Sequence, residues 1–434
     1  MSYTTYSSIN ELWLASIPEH WDSRKIKYVF SERVEKGYPD EPLLVASQNM
    51  GVVPKDVYGN RTVEVTKDFH SLKLVRIGDF VISLRSFQGG LEYAYYQGII
   101  SPAYTIMIPN ERIIGGYFRF LAKSRLFIEL LQMCVTGIRE GQNIDYSKLK
   151  NHLIPIPPRD EQDQIVRYLD WKVSRINKLI NAKRRQIVLL QEQKRAVISS
   201  QLTGKFIWLK HLISEPFQYG ANDSGIEYSP SLPRYIRITD ISLDGNLKTY
   251  GAKSLSEEIA KPYILLDGDI LLARSGATAG KSFLYKSEYG LCAFAGYLIK
   301  ARVIKKRILP EYLIYATNSS DYEQWKNSVF IQATIQNISA ERYSQLPVPV
   351  PSISEQEKIV AYLDEQCSNI DKIVSKLDDE ITLFAEYRTR LISDVVTGKL
   401  DVRGAVVPKY EAVEDIAEGE SNSLGDAIMA GDYE

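Results

Sequence analysis

Apolar residues recur at steps of three, four or seven along two stretches of this chain, and that rhythm predicts two long amphipathic helices. The first stripe runs through Ile165, Leu169, Val173, Ile176, Ile180, Ile187, Leu190 and Val197. The second runs through Leu363, Ile370, Val374, Leu377, Ile381, Phe384, Leu391 and Val395. Prolines hold the backbone extended ahead of each, in Ile154-Pro155-Ile156-Pro157-Pro158 and Leu346-Pro347-Val348-Pro349-Val350-Pro351. Asp160 is the expected cap of the first helix, Ser354 with Glu357 the expected capping box of the second, and Gly204 and Gly398 the left-handed exits. A narrow stripe on a helix of ~40 residues calls for a second long helix beside it. The two helices are therefore expected to pack on each other, antiparallel, over roughly 60 Å. The packing residues would be Ile165, Leu169, Ile176, Ile180, Ile187 and Leu190 against Leu363, Ile370, Leu377, Ile381, Phe384 and Leu391.

The two helical stretches are near-copies. Pro155-Ile156-Pro157, Glu161-Gln162, Ile165-Val166, Tyr168-Leu169-Asp170 and Thr203-Gly204-Lys205 align without a gap on Pro349-Val350-Pro351, Glu355-Gln356, Ile359-Val360, Tyr362-Leu363-Asp364 and Thr397-Gly398-Lys399. The repeat extends upstream through Gln142-Asn143-Ile144 and Gln336-Asn337-Ile338, and through Gly78-Asp79 and Gly268-Asp269. Short β-branched and aromatic runs such as Thr105-Ile106-Met107-Ile108, punctuated by Gly, Pro and Asn, predict small twisted sheets before each helix. The fold class is thus α+β. Two pseudo-symmetric globular domains, 1–158 and 207–351, are each followed by a long helix, 159–206 and 352–400, the helices forming an antiparallel coiled coil. The scaffold repeats but its loops differ. Asn49-Met50-Gly51-Val52-Val53-Pro54 and Phe87-Gln88-Gly89-Gly90 have no close partner in the other half.

Composition adds an asymmetry of charge. The chain carries a net −1, yet eight acids against one lysine put −7 on residues 409–434 and leave +6 on the rest. A basic body is the footprint of a nucleic-acid partner. The acidic tail, taken as 401–434, reads as disordered. Cys134, Cys292 and Cys367 and the four scattered histidines have no metal-ligand spacing. With 44% hydrophobic and 25% charged residues, no apolar run long enough to span a bilayer and no leader-like start, the expectation is a cytoplasmic, non-membrane protein without a metal or cofactor of its own.

Catalytic strings are scarce. Ser275-Gly276-Ala277-Thr278-Ala279-Gly280-Lys281-Ser282 resembles a phosphate-binding loop, but its first glycine is replaced by serine and the other half has no Lys-Ser. A Gly-rich turn touching nucleic-acid phosphate through Arg274 and Lys281 fits better. No Asn-Pro-Pro-aromatic methyltransferase string, nucleophile elbow or dinucleotide fingerprint is present. Carboxylates at Asp267 and Asp269 read as turn residues. Polar loop side chains at matched positions are candidates for reading bases, since Gln and Asn pair with adenine edges and Arg with guanine edges. In the first half these are Gln48, Asn49, Arg85, Gln88, Arg139, Gln142 and Asn143; in the second, Arg237, Thr239, Arg274, Lys281, Gln332, Gln336 and Asn337. The shared Gln-Asn-Ile also fits a structural turn, because identical residues cannot distinguish two targets. Lys183-Arg184-Arg185 and Lys194-Arg195 read as a solvated helix face.

Duplicated variable domains, each followed by prolines, Glu-Gln, a Tyr-Leu-Asp helix and a Thr-Gly-Lys exit, resemble the specificity subunit of type I restriction-modification systems. Ile17-Pro18-Glu19-His20-Trp21 and Leu272-Ala273-Arg274-Ser275-Gly276-Ala277-Thr278 strengthen the likeness, which covers about residues 7 to 400. The resemblance implies two target-recognition domains, each reading one block of an asymmetric bipartite site on double-stranded DNA, with the helices setting the spacer. It implies a non-catalytic chain that works with two modification subunits and with restriction subunits. S-adenosylmethionine, ATP and magnesium would belong to those partners.

Overall fold

The computed structural model describes residues 2–9, 11–58, 69–84, 86–136, 143–241, 246–248, 250–275, 279–331 and 337–413. It divides into two compact units, residues 1–184 with 378–434, and residues 185–377. Each unit is built on the same plan.

In the first, β1 (Asp22–Lys25), β2 (Phe30–Arg33), β3 (Leu44–Ser47), β4 (Gly51–Pro54), β5 (Phe80–Ile82), α1 (Ser86–Gly89), β6 (Glu92–Tyr93), β7 (Thr105–Pro109), α2 (Gly115–Ala122), α3 (Arg125–Met133) and β8 (Leu153–Ile156) lead into α4 (Arg159–Gln201). The main sheet has the antiparallel order β2-β7-β5-β6, and β8 pairs with β1. In the second, β9 (Lys205–Trp208), β10 (Gln218–Tyr219), β11 (Arg234–Ile236), β12 (Ile270–Ala273), β13 (Ser282–Leu284), β14 (Leu298–Ala301), α5 (Pro310–Ala316), α6 (Ser320–Ile331) and β15 (Pro347–Val350) lead into α7 (Ile353–Val396). Its sheet runs β10-β14-β12-β13, and β15 pairs with β9. The proline strands β8 and β15 each occupy a ladder with a single partner, where a missing N–H does least harm.

The repeated polar residues are scaffold. Asp79 is buried and takes Arg33 Nε and Nη2 at 2.8 and 3.1 Å; Asp269 takes Arg302 Nε and Nη2 at 2.6 and 2.7 Å. Gln162 and Gln356, both 0% exposed, accept from Ile114 N and Leu309 N and donate to two carbonyls each. The buried Tyr117 hydroxyl donates to Val396 O at 3.0 Å, and that of Tyr312 to Pro349 O at 3.0 Å and Thr203 O at 3.4 Å. Each domain therefore holds the start of one long helix and the end of the other.

Both units pair the helices antiparallel, since partners descend on α7 as they ascend on α4. In the first unit Asn177 meets Arg388 and Lys183 meets Glu380; in the second Lys194 meets Asp371. Ile165, Leu169, Ile176, Ile180 and Leu391 lie in the first unit's core, with Ile381 and Phe384 packed against it. Leu363 is fully buried with Ile198 and Cys367 in the second, and Ile370 is also buried. Ile187, Leu190 and Leu377 are half-buried. Lys183 and Lys194 thus bridge helices where the sequence suggested a solvated face. Surface pairs of this kind contribute about 0–1 kcal/mol each, so they mark register more than stability.

Three local expectations differ from the structure. The capping box is Ser352 with Glu355, whose Oε2 accepts from Ser352 N at 3.0 Å and Oγ at 2.7 Å, because the helix starts as soon as Pro351 is passed. Asp160 lies inside the first turn of α4, with Pro158 O accepting the first amides. Residues 401–413, counted with the tail on composition, run along α4. Val402 is buried, Gln164 Nε2 donates to Val402 O and Ala405 O, Ser174 Oγ to Glu411 O and Asn177 Nδ2 to Val413 O. Residues 414–434 lie outside the described residues. Gly204 and Gly398 have φ of +115° and +77°, as the exits require.

Candidate nucleic-acid interface

In the first unit the candidate readers converge on α1. The β3–β4 turn exposes Gln48, Asn49 and Met50. A Cβ at Gly89 would lie 2.6 Å from Gln48 Cδ, so Gln48 lies directly on the helix that exposes Gln88. Asn143 is exposed on a two-residue strand paired with Val135-Thr136. Arg85, Arg139 and Gln142 lie outside the described residues.

Beneath the turn is a buried group that sequence inspection missed. Lys123 Nζ donates to Gln48 O at 3.1 Å, Gly89 O at 2.9 Å and Glu92 Oε1 and Oε2 at 2.9 and 2.8 Å. Glu92 is 1% exposed, and burial pushes its carboxyl up to about 7 although Lys123 pulls it down. The fold therefore holds that proton more tightly than the unfolded chain does. Stability from this group is full below about 4.5 and is lost as pH rises through about 7. Glu92→Gln should flatten that part of the stability profile of the full chain, measured by urea unfolding between pH 5 and 8 (a range of ~3 units around the shifted group). An identical slope in the variant would refute the assignment.

In the second unit the string resembling a phosphate cradle lies between two paired strands, with residues 276–278 outside the described residues. β12 and β13 pair antiparallel on either side of it, Gly280 N donates to Ala273 O and Ala273 N to Lys281 O. A phosphate-binding loop leads from strand to helix, so this context does not fit one. Arg274 lies over the Tyr219 ring at 4.9 Å, its amide donates to Tyr297 O and its carbonyl accepts Ile338 N. Tyr219 and Tyr297 are exposed. Ser275 bridges to Asn337, and Ile338 is fully buried, so Asn337-Ile338 is anchored beside the end of β12. Arg274 Nε and Asn337 Oδ1 are buried without a partner among the described residues.

Burial and the nearby Lys326 and Lys248 lower the pKa of Lys281, a sign of concentrated positive charge. Arg237 is engaged by Asp240, at 2.9 Å through Nε and 2.7 Å through Nη2, and closes a turn. Thr239 is exposed while its carbonyl accepts Lys248 Nζ. Gln332 and Gln336 lie outside the described residues. Cations beside exposed tyrosines suit phosphates and base faces. Tyr219, Lys326 and Lys248 carried no sequence signal, because only the fold brings them to Arg274 and Lys281.

No group of side chains among the described residues could hold a metal ion, and the three cysteines are free and buried. No helix among them is long and apolar enough to cross a membrane.

Residues 234–383 match the family model described as the type I restriction modification DNA specificity domain. The chain is 28% identical over 136 residues to the StySPI type I specificity subunit of Salmonella potsdam, a match covering 30% of this chain and 29% of that one. It is 21% identical over 383 residues to the EcoBI specificity subunit of Escherichia coli, covering 74% and 80%. A chain solved in a study of complex assembly and conformational transition of the type I restriction-modification system shares the fold, with a TM-score of 0.58 over 88% of this chain and 99% of that one, at 14% identity. Residues 234–383 thus match the DNA specificity domain of type I restriction-modification systems, and the chain is similar to specificity subunits of such systems.

Proposed function

We propose that this chain is the sequence-reading subunit of a type I assembly. It binds an asymmetric, two-part site on double-stranded DNA and directs adenine methylation and restriction by partner subunits. The observation that carries this reading is one sheet plan used twice with different loops. In the first unit α1 stands between β5 and β6, whereas no helix is found among the described residues between β12 and β13 in the second. Two equivalent scaffolds with unlike surfaces suit two unlike half-sites, and a duplicated body offers two modification subunits equivalent docking positions. Restriction subunits complete the assembly, with S-adenosylmethionine, ATP and magnesium held by the partners. This chain performs no chemistry.

Adenine-methylation mapping tests the proposal, in cells with this gene and its modification partner and in cells without the gene. One asymmetric bipartite motif, lost with the gene, is the expected result; no new motif beside an active partner rejects the reading. In the same assay Arg274→Ala should relax one half-site only. A lost bidentate contact to guanine amounts to about 1–3 kcal/mol, or roughly tenfold to a hundredfold in discrimination. Equal loss at both half-sites would remove Arg274 from the reading surface.

A further inference from the structure

We infer that Lys123 is a positioning residue for base recognition by the first unit, a step that rests on the DNA-reading function proposed above. Its ammonium ties together three separate pieces of chain: the β3–β4 turn through Gln48 O, the end of α1 through Gly89 O, and β6 through Glu92. Two of those pieces carry the candidate readers Gln48, Asn49 and Gln88. Base readout through paired hydrogen bonds tolerates errors of only a few tenths of an ångström, so the turn and α1 must keep a fixed separation. The turn lacks ladder bonds to α1. Lys123 and the close approach of Gln48 to Gly89 join it to α1, where a Cβ on Gly89 would displace the Gln48 side chain.

The internal repeat supplies a control. Lys123 follows the last residue of α2, and Glu92 opens β6. In the second unit Tyr312 and Ser319 stand where Tyr117 and Ser124 stand in the first, which sets Asn318 opposite Lys123, and the Leu271–Phe283 pairing repeats Val81–Glu92, which sets Phe283 opposite Glu92. Asn318 Nδ2 turns back to Ile314 O at 2.7 Å and Phe283 is buried in the core. The scaffold therefore closes this seam without charge. A lysine long enough to reach past the seam to the turn and α1 is particular to the unit whose loop contains α1. Lys123 holds a reading surface, whereas Asn318 only closes the end of its own helix.

The test is selection from a random-sequence duplex library by the full-length chain, purified with the subunits it carries from its own cells, for the wild type and for Lys123→Met, Glu92→Gln and Lys123→Asn. Lys123→Met keeps the stem and removes the three ties. It should reduce base preference at one half-site at least about tenfold and leave the other half-site unchanged, with cooperative melting retained. Glu92→Gln keeps the bonds to Gln48 O and Gly89 O and should read like the wild type. Lys123→Asn installs the second unit's residue at this place; it should fold and still lose the first preference. Unchanged preferences in Lys123→Met would overturn the inference. So would loss confined to variants whose melting is also lost, which would make the role structural only. A wild type with no bipartite preference would reject the DNA-reading function itself, and this inference with it.

Discussion

Gln162→Ala should unfold the first unit at markedly lower denaturant than the second, and Gln356→Ala should do the reverse. Each glutamine is fully buried at the first turn of its long helix. Gln162 accepts Ile114 N at 2.8 Å and donates to Arg112 O at 3.0 Å and Pro157 O at 2.9 Å. Gln356 repeats the set with Leu309 N, Arg307 O and Pro351 O. Truncation leaves three backbone groups, buried or partly buried at the helix start, without their side-chain partner. At about 1–3 kcal/mol for each unsatisfied group, partly relieved by relaxation, the loss is on the order of 3–5 kcal/mol. Gln162→Glu should be no better, because a carboxylate would face two carbonyls and its own charge would be buried. Urea unfolding followed by amide exchange checks this. The Ile114 amide should lose protection in the first variant and the Leu309 amide in the second, each with a separate early transition. A shift of less than about 0.5 kcal/mol in either variant would show that the repeated Glu-Gln string is not the fastening.

That string was visible in the sequence as a repeat, but its work was not. Spacing alone predicted α4, α7 and their pairing, because a 3.6-residue stripe is a local signal and its partner had to be another stripe of equal length. The Gly exits were equally legible, since few residues adopt positive φ at no cost. The start of α7 was misread because Ser352 and Ser354 both stand three residues before a glutamate, and only distance from Pro351 decides between them. The candidate site was legible only in part. Gln48, Asn49 and Gln88 stood out as polar residues in unmatched loops, and the structure gathers them at α1. Lys123 and Glu92 are 31 residues apart, and neither position is remarkable until β6 and α2 pack together. Arg237 was chosen for its chemistry, but its guanidinium closes a turn with Asp240. Burial turns polar residues inward for scaffold reasons, and sequence chemistry does not distinguish the two uses.

Removing one heptad from each long helix should shorten the spacer between the half-sites by about three base pairs and leave both half-sites as they were. The excised segments would be residues 185–191 of α4 and 373–379 of α7, which lie between the Lys183–Glu380 pair of the first unit and the Lys194–Asp371 pair of the second and leave both pairs in place. A heptad is the right increment because seven residues return the apolar stripe to the same face, whereas four would turn it by roughly 40° and break the packing. Seven residues remove about 10 Å of helix, and DNA rises about 3.4 Å per base pair. Three base pairs also turn the duplex by roughly 0.3 of a revolution, so the shortened protein must pay in DNA or helix twist. Methylation at the new site should therefore be slower than at the original site with the parent protein, and its motif should be no less sharp. The readout is the methylation map of cells expressing the shortened chain with its partner. A motif with the original spacer would mean that something other than the helix pair sets the distance. Degraded half-sites would mean that the excision reached the reading domains, whose candidate residues all lie outside the removed segments.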